Sequence, residues 1–251
     1  MMLAAGQGYP GSVLSQVEIV VTLFYAGYLR YRKEPRDRLI VSKGHATMGI
    51  YPVLAEFGHF PEAELQRMGG PGGLLRAMGS IKVPGVEATT GSLGHGVGIG
   101  AGLALAAQRD GADVRVAVIS SDGEMYEGSL WESALFAAHQ RLDNLVLVID
   151  RNRSIILGGT ESLLPLEPVA AKWQAFGFRV LAADGHDIRS LMDAFDSAFV
   201  PQGRPAVVIA ETVKGKGISF MENRAEWHYW RAIDAAQIAS ARSDLAEPGA
   251  P

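Results

Sequence analysis

The sequence predicts an α/β fold, a mainly parallel central sheet covered by helices on both faces. Short, largely apolar runs at 37–41, 116–119, 145–149, 179–182 and 206–211 have the length and character of strands buried on both sides. Helical patterns lie between them, as crossover connections require. Small-residue and polar turns close the strands, most plainly Ser120-Ser121-Asp122-Gly123 and Asp150-Arg151-Asn152. In a parallel βαβ unit both turns lie at the carboxyl edge of the sheet, so Asp122 and Asn152 are expected to meet.

Taken in order, the chain opens on a short glycine-rich stretch in which Pro10-Gly11 signals a turn. Ser12 is then placed to cap a helix over 13–31. After strand 37–41 comes Ser42-Lys43-Gly44-His45-Ala46, and a helix follows to about 57. His45 thus sits where a strand stops and a helix begins. Backbone N–H groups there favour an anion and an imidazole adds a donor; a plain structural histidine is the competing reading. The stretch 68–86 is rich in Gly and Pro and reads as a long loop of the kind that often carries function. Residues 89–96 form a second small-residue turn. It leads into an Ala/Gly-rich helix over 97–108, apolar nearly all round and so expected to be buried.

Next come strand 116–119, a helix over 127–142 and strand 145–149. A polar, proline-marked loop at 157–168 is placed to cover the turns. Helices follow over 169–176 and 187–199, each leading to a strand, and 206–211 runs into Lys214-Gly215-Lys216-Gly217. Trp227-His228-Tyr229-Trp230 precedes a last helix over 234–245, and the tail from 246 to 251 is expected to fray. There are no repeats and no low-complexity block, so the expectation is one domain over 1–251.

Composition narrows the function. The chain has 251 residues, enough for a substantial core in one α/β unit. Its 23 Lys plus Arg against 27 Asp plus Glu, a formal charge of −4, make no electrostatic case for nucleic acid or an anionic membrane. With no cysteine there is neither a thiolate metal site nor a cysteine nucleophile. No basic-then-apolar leader and no apolar run of about 18 residues is present, which points to a soluble cytoplasmic protein. No Gly-x-Gly-x-x-Gly turn joins a first strand to a helix, which argues against a dinucleotide site.

The chemistry concentrates in 116–156. The carboxylate of Asp122 and the amide oxygen of Asn152, converging beside turn backbone, make a seat for a hard cation. Mg²⁺ in such a seat also takes phosphate oxygens and water. The competing reading is an Asp and an Asn capping ordinary turns.

At this point a family resemblance enters. Asp122-Gly123, followed one crossover later by Asn152, resembles the thiamin-diphosphate signature Gly-Asp-Gly…Asn. Ser42–Ala46, the run Pro84-Gly85-Val86-Glu87-Ala88-Thr89-Thr90-Gly91-Ser92-Leu93-Gly94, Glu127-Gly128, Asp184-Gly185-His186-Asp187 and Lys214–Gly217 accompany it. Together, in this order, they resemble transketolase over nearly the whole chain, from Gly8 to about Trp230. The resemblance implies a three-layer thiamin-diphosphate-binding fold and only the diphosphate-binding half of such an enzyme. The expected protein is the N-terminal subunit of a split transketolase. Its partner would be a separate C-terminal subunit carrying the pyrimidine-binding module, in an α2β2 heterotetramer.

The resemblance also implies roles. Asp122 and Asn152 would bind the metal through side-chain oxygens and Ser154 through its carbonyl. The metal would be Mg²⁺, with Ca²⁺ or Mn²⁺ as substitutes. Gly123 N–H, His45 and His228 would hold the diphosphate. Leu93 and Ile156 would flank the thiazolium ring, with Gly91 near the aminopyrimidine. Glu127 would reach a glutamate on the partner. As catalytic residues the expectation names Glu127, His45 and His228.

Departures from the pattern bear on substrate. The first signature glycine is Ser121, a substrate-facing histidine is replaced by Tyr9, and Ala77 or Met78 stands where a second histidine belongs. The glutamine usual after Ser-Leu-Gly is His95. The implied activity is transfer of a two-carbon ketol unit from a ketose to an aldose. A specialised enzyme with altered substrate, and a non-catalytic scaffold retaining the fold, are the alternatives.

Overall fold

A computed structural model describes residues 1–32 and 34–246. The expected fraying tail lies, from 247 onward, outside the described residues. Five strands form the main sheet: β1 (Arg38–Val41), β2 (Val116–Ser121), β3 (Leu145–Arg151), β6 (Arg179–Asp184) and β7 (Ala206–Glu211). Two short strands, β4 (Ser154–Ile155) and β5 (Gly158–Gly159), make a separate antiparallel hairpin. The main sheet runs in the order β1-β2-β3-β7-β6, and every neighbouring pair is parallel.

Alternate residues of these strands feed two cores. On one face Leu39, Val41, Ala117, Ile119, Val146 and Val148 pack with Ile19 and Leu23 of α3 (Val17–Tyr25), Leu54 of α4 (Tyr51–Glu56) and Phe195 of α9 (Ile188–Ala198). On the other, Ile40, Val118, Leu147 and Ile149 meet Val97 of α5 (His95–Arg109), Leu130 of α6 (Gly128–His139) and Trp173 of α8 (Val169–Ala175). Each of the larger side chains, such as Leu39, Ile119 and Leu147, contributes about 1.5–3 kcal/mol of burial. Both faces of β1, β2, β3 and β7 are therefore covered, and this is why those strands read as unbroken apolar runs rather than alternating ones. The remaining helices are α1 (Met2–Ala5), α2 (Pro10–Leu14), α7 (Thr160–Leu163) and α10 (Ala235–Asp244).

Several expectations change. The single helix over 13–31 is two, α2 and α3, and Ser12 caps neither; α2 begins at Pro10, whose fixed φ suits a first helical position. After β1 the chain enters a 3₁₀ turn, Gly44–Gly49, before α4. A second 3₁₀ turn, Asp122–Tyr126, intervenes before α6. The segment 157–168 is not structureless, since it holds β5 and α7. Helix α5 buries only one face, through Gly96, Val97, Gly100, Ala101, Ala104 and Ala107. Its small residues serve close approach: a Cβ at Gly100 would lie 2.4 Å from Cγ2 of Val118. Among the described residues no helix is long and apolar enough to cross a membrane.

Candidate active site

The carboxyl ends of β1, β2, β3 and β7 converge on one edge of the sheet, and a cleft of about 410 Å³ opens above them. Its lining draws on turns far apart in sequence: His45 after β1, Gly91 and Leu93 before α5, Gly123 and Glu127 after β2, Asn152, Ser154 and Ile156 after β3, and His228. All the sequence-derived candidates meet here except Asp122, which is fully buried between the cleft residues Ser121 and Gly123. Strand register explains the meeting of β2 and β3, because Ser121 pairs with Asp150 and puts the two polar turns side by side.

Asp122 is heavily engaged. Its Oδ2 accepts from Arg151 Nη1 at 3.1 Å and from the Arg153 N–H at 2.5 Å, and its Oδ1 accepts from the Gly123 N–H at 2.9 Å. The Gly123 N–H expected to face a diphosphate is thus turned to Asp122. Burial, reinforced by the Asp150 charge and offset by Arg151, raises the Asp122 carboxyl to about 6. Asn152 Oδ1 accepts from the Ser154 N–H at 3.1 Å. Among the described residues there is no cluster of three or more His, Cys, Asp or Glu side chains able to hold a metal. A cation here would have one carboxylate, one amide oxygen and backbone, and would need ligand oxygens to complete its shell.

The two histidines face one another, with ring centroids 5.2 Å apart. The Nε2 of His45 lies 3.1 Å from Ser12 Oγ, and Nδ1 of His228 is buried with no hydrogen-bond partner among the described residues. Burial, together with the charges of Lys43, His228 and Lys214, pushes His45 down to about 3. Burial and then Lys214 push His228 down to about 4. Both rings are neutral at neutral pH, each able to donate one hydrogen bond and accept another. Tyr9 closes the cluster, its ring 5.2 Å from His45 and 5.8 Å from His228. Met78 lines the cleft while Ala77 packs on the core. Glu127 is exposed at the cleft lip, and His95 is exposed on α5. His186 is structural: its Nε2 accepts from the Val213 N–H at 2.8 Å, and its Nδ1 lies 3.1 Å from Glu18.

Sequence reasoning missed Lys214. It is 2 % exposed and lines the cleft, and among the described residues no carboxylate lies within ion-pair range of its ammonium. Burial, only partly offset by Asp122 and Asp150, lowers it to about 8. An ammonium on a buried stem that reaches the cleft with no carboxylate beside it is placed to take an anion. The Lys-Gly-Lys-Gly motif carried the signal, but it did not say which lysine turns inward. Lys43 differs, being paired with Asp150 in a buried network that includes Ser15 and Thr212.

A thiamin diphosphate–metal pair fits these residues. Lys214 and the unpartnered His228 Nδ1 answer the anionic end, Asp122 and Asn152 answer the cation, and Leu93 and Ile156 offer apolar walls to a ring.

The family model described as "Transketolase, thiamine diphosphate binding domain" matches residues 1–248. The chain is 44% identical over 227 residues to an apulose-4-phosphate transketolase subunit of Actinobacillus succinogenes, covering 88% of this chain and 82% of that protein. It is 38% identical over 228 residues to the 6-deoxy-6-sulfo-D-fructose transketolase subunit SqwG of Clostridium sp. (strain MSTE9), covering 89% and 83%. In structure it resembles the Campylobacter jejuni transketolase, with TM-score 0.90 and 29% identity over 96% of this chain. The Pichia stipitis transketolase in complex with sedoheptulose-7-phosphate gives TM-score 0.89 at 28% identity, again over 96% of this chain. The chain spans only 40% and 38% of those two proteins. With its parallel sheet, its cleft at the strand ends and these likenesses, the chain belongs to the transketolase family, as a thiamine diphosphate-binding domain of the kind found in transketolases made of separate subunits.

Proposed function

We propose that this chain is the diphosphate-side subunit of a split, cytoplasmic transketolase. It acts as a single domain with thiamin diphosphate and Mg²⁺. A separate chain bearing the pyrimidine-binding module completes the site, in an α2β2 assembly. The reaction moves a two-carbon ketol unit from a ketose donor to an aldose acceptor. The observation that carries this reading is the pairing, in one cleft, of the Lys214 ammonium, which has no ion-pair partner among the described residues, and two neutral imidazoles with apolar walls. Division of the enzyme between two chains rests on the relatives named as transketolase subunits and on Glu127, which stands exposed at the lip.

Bound there, thiamin diphosphate supplies the electron sink that carbon–carbon cleavage beside a ketose carbonyl requires. The chain's own residues position and charge-balance. Lys214 and His228 hold phosphate oxygens. Asp122, Asn152 and the Ser154 carbonyl hold the cation. Leu93 and Ile156 keep water from the ring faces, and Gly91 lets backbone come close. His45 and His228, neutral and adjacent, hold or move a proton at a substrate oxygen. Glu127 extends toward a carboxylate of the partner.

A second reading, a specialised enzyme with an altered substrate, is favoured by Tyr9 and Met78 in the cleft wall. The two relatives are named for different sugars, apulose-4-phosphate and 6-deoxy-6-sulfo-D-fructose, so a panel of sugars is the proper test of substrate. Purified chain mixed with its partner, Mg²⁺ and thiamin diphosphate is expected to transfer ketol units across a donor and acceptor panel, and the chain alone to do nothing. Sustained turnover by the isolated chain would refute the divided site. Metal-dependent cofactor binding without turnover on any pair would favour the scaffold alternative.

A further inference from the structure

Ser12 caps no helix, yet it is only 4 % exposed, in the middle of α2. Its backbone is pinned on two sides. The Ser12 carbonyl accepts from Lys43 Nζ at 3.2 Å, and Lys43 is itself held by the buried Asp150. Helix α2 also packs against the segment that carries Lys214. The Gly215 N–H donates to the Gly11 carbonyl at 3.0 Å, and a Cβ on Gly11 would stand 3.1 Å from Cγ of Lys214. Ser12 therefore has little freedom to move, and it borders the cleft.

Among the described residues its hydroxyl has one hydrogen-bond partner, Nε2 of His45 at 3.1 Å. The direction of that bond follows from what each group has left over. If His45 donated, the hydroxyl proton would find no protein acceptor, at a position where water has little access. If Ser12 donates, the bond uses that proton. Nε2 then keeps its lone pair, and the neutral ring carries its own proton on Nδ1. The His45 Nδ1 has no partner among the described residues and is not sealed from water, and the ring lines the same cleft as Lys214.

We propose that Ser12 is a positioning residue, whose hydroxyl holds His45 as the Nδ1-protonated tautomer so that the ring offers a donor to the anionic end of a ligand; this rests on the cofactor reading above. In the other tautomer Nδ1 would present a lone pair to a phosphate oxygen, and acceptor would face acceptor. One hydroxyl from α2 thus decides whether a neutral imidazole attracts an anion or rejects it. The choice is made before the ligand arrives, which spares the bound state a cost of reorganisation.

The test uses the full chain carrying ¹⁵N-labelled histidine, with the His45 signals identified by their loss in His45→Gln. Without ligand, at neutral pH, the wild type is expected to show Nδ1 protonated and Nε2 unprotonated. Ser12→Ala, which suits a helix, should move His45 toward a mixture of the two neutral tautomers. It should also weaken thiamin diphosphate binding at fixed Mg²⁺ by about three- to tenfold, the range of one hydrogen bond, as read by calorimetry. Ser12→Thr keeps the hydroxyl and should restore both. A protonated Nε2 in the wild type overturns the proposal. So does an unchanged tautomer in Ser12→Ala, even with weaker binding, since Ser12 would then act on the ligand directly or through packing alone. A tautomer shift with unchanged affinity overturns the role toward the anion. Failure of the wild type to bind thiamin diphosphate with Mg²⁺ overturns the cofactor reading and that role with it; the tautomer, measured without ligand, is decided separately.

Discussion

Lys214 and His45 show how burial turns ordinary side chains into site chemistry. The Lys214 ammonium reaches the cleft with no ion-pair partner among the described residues, so an anionic ligand gains a charge-assisted bond there. Replacing it with Met should weaken thiamin diphosphate binding by about 10- to 100-fold, the equivalent of about 1.5–3 kcal/mol, as read by calorimetry at fixed Mg²⁺. His45 makes a pH prediction. Its folded value near 3 lies below the ordinary 6.5, so between those values the unfolded chain binds the extra proton. Its contribution to stability is complete above about 6.5 and is lost as pH falls toward 3. The stability of the wild type relative to His45→Gln should therefore shrink with acidification across that window, in denaturant melts run at successive pH values. A difference constant with pH would mean that the fold does not lower the His45 pKa.

At the scale of elements, the site depends on turns that touch one another rather than on any single loop. Glu124, fully buried in the 3₁₀ turn after β2, accepts from Ser42 Oγ at 2.6 Å, Ser120 Oγ at 2.8 Å and the Gly94 N–H at 2.9 Å. One carboxylate thus joins the ends of β1 and β2 to the start of α5. Gly44, beside it, is pressed against the opposite turn: a Cβ there would stand 1.8 Å from the Thr90 carbonyl oxygen. Backbone cannot yield as a flexible side chain does, so Gly44→Ala should cost about 3 kcal/mol, the upper end for overpacking. A thermal melt checks this, and a midpoint within a degree or two of wild type would show that the turns are free to separate.

Across the whole molecule, binding and support sit at opposite ends of the sheet. The cleft lies at the carboxyl ends of the strands. At the other end Asp37, fully buried just before β1, accepts from Arg30 Nη2 at 2.8 Å and Arg115 Nη2 at 2.9 Å. It ties the connection before β1 to the entry of β2. Asp37→Asn should lower unfolding stability by about 2 kcal/mol, the arginines being partly solvated, and should leave the dissociation constant for thiamin diphosphate and Mg²⁺ unchanged. Parallel melts and titrations separate the two; a loss of affinity would mean that strain travels the length of β1.

Fold class was legible in the residues because unbroken apolar runs such as 145–149 and 206–211 have few alternatives to strands buried on both faces. The meeting of Asp122 and Asn152 was legible for the same reason, since parallel strands deliver their turns to one edge. Boundaries were less so. Asp150 and Arg151 read as turn residues, yet both are fully buried in β3, because Lys43 and the Glu161–Glu167 pair supply the charges that let them be there. No local pattern announces a partner more than a hundred residues away. The same limit hid the inward turn of Lys214. Local periodicity and turn chemistry determine which segments become strands and where polar turns gather. Which charge is buried, and against which other, is decided only when the sheet closes and brings distant groups out of water together.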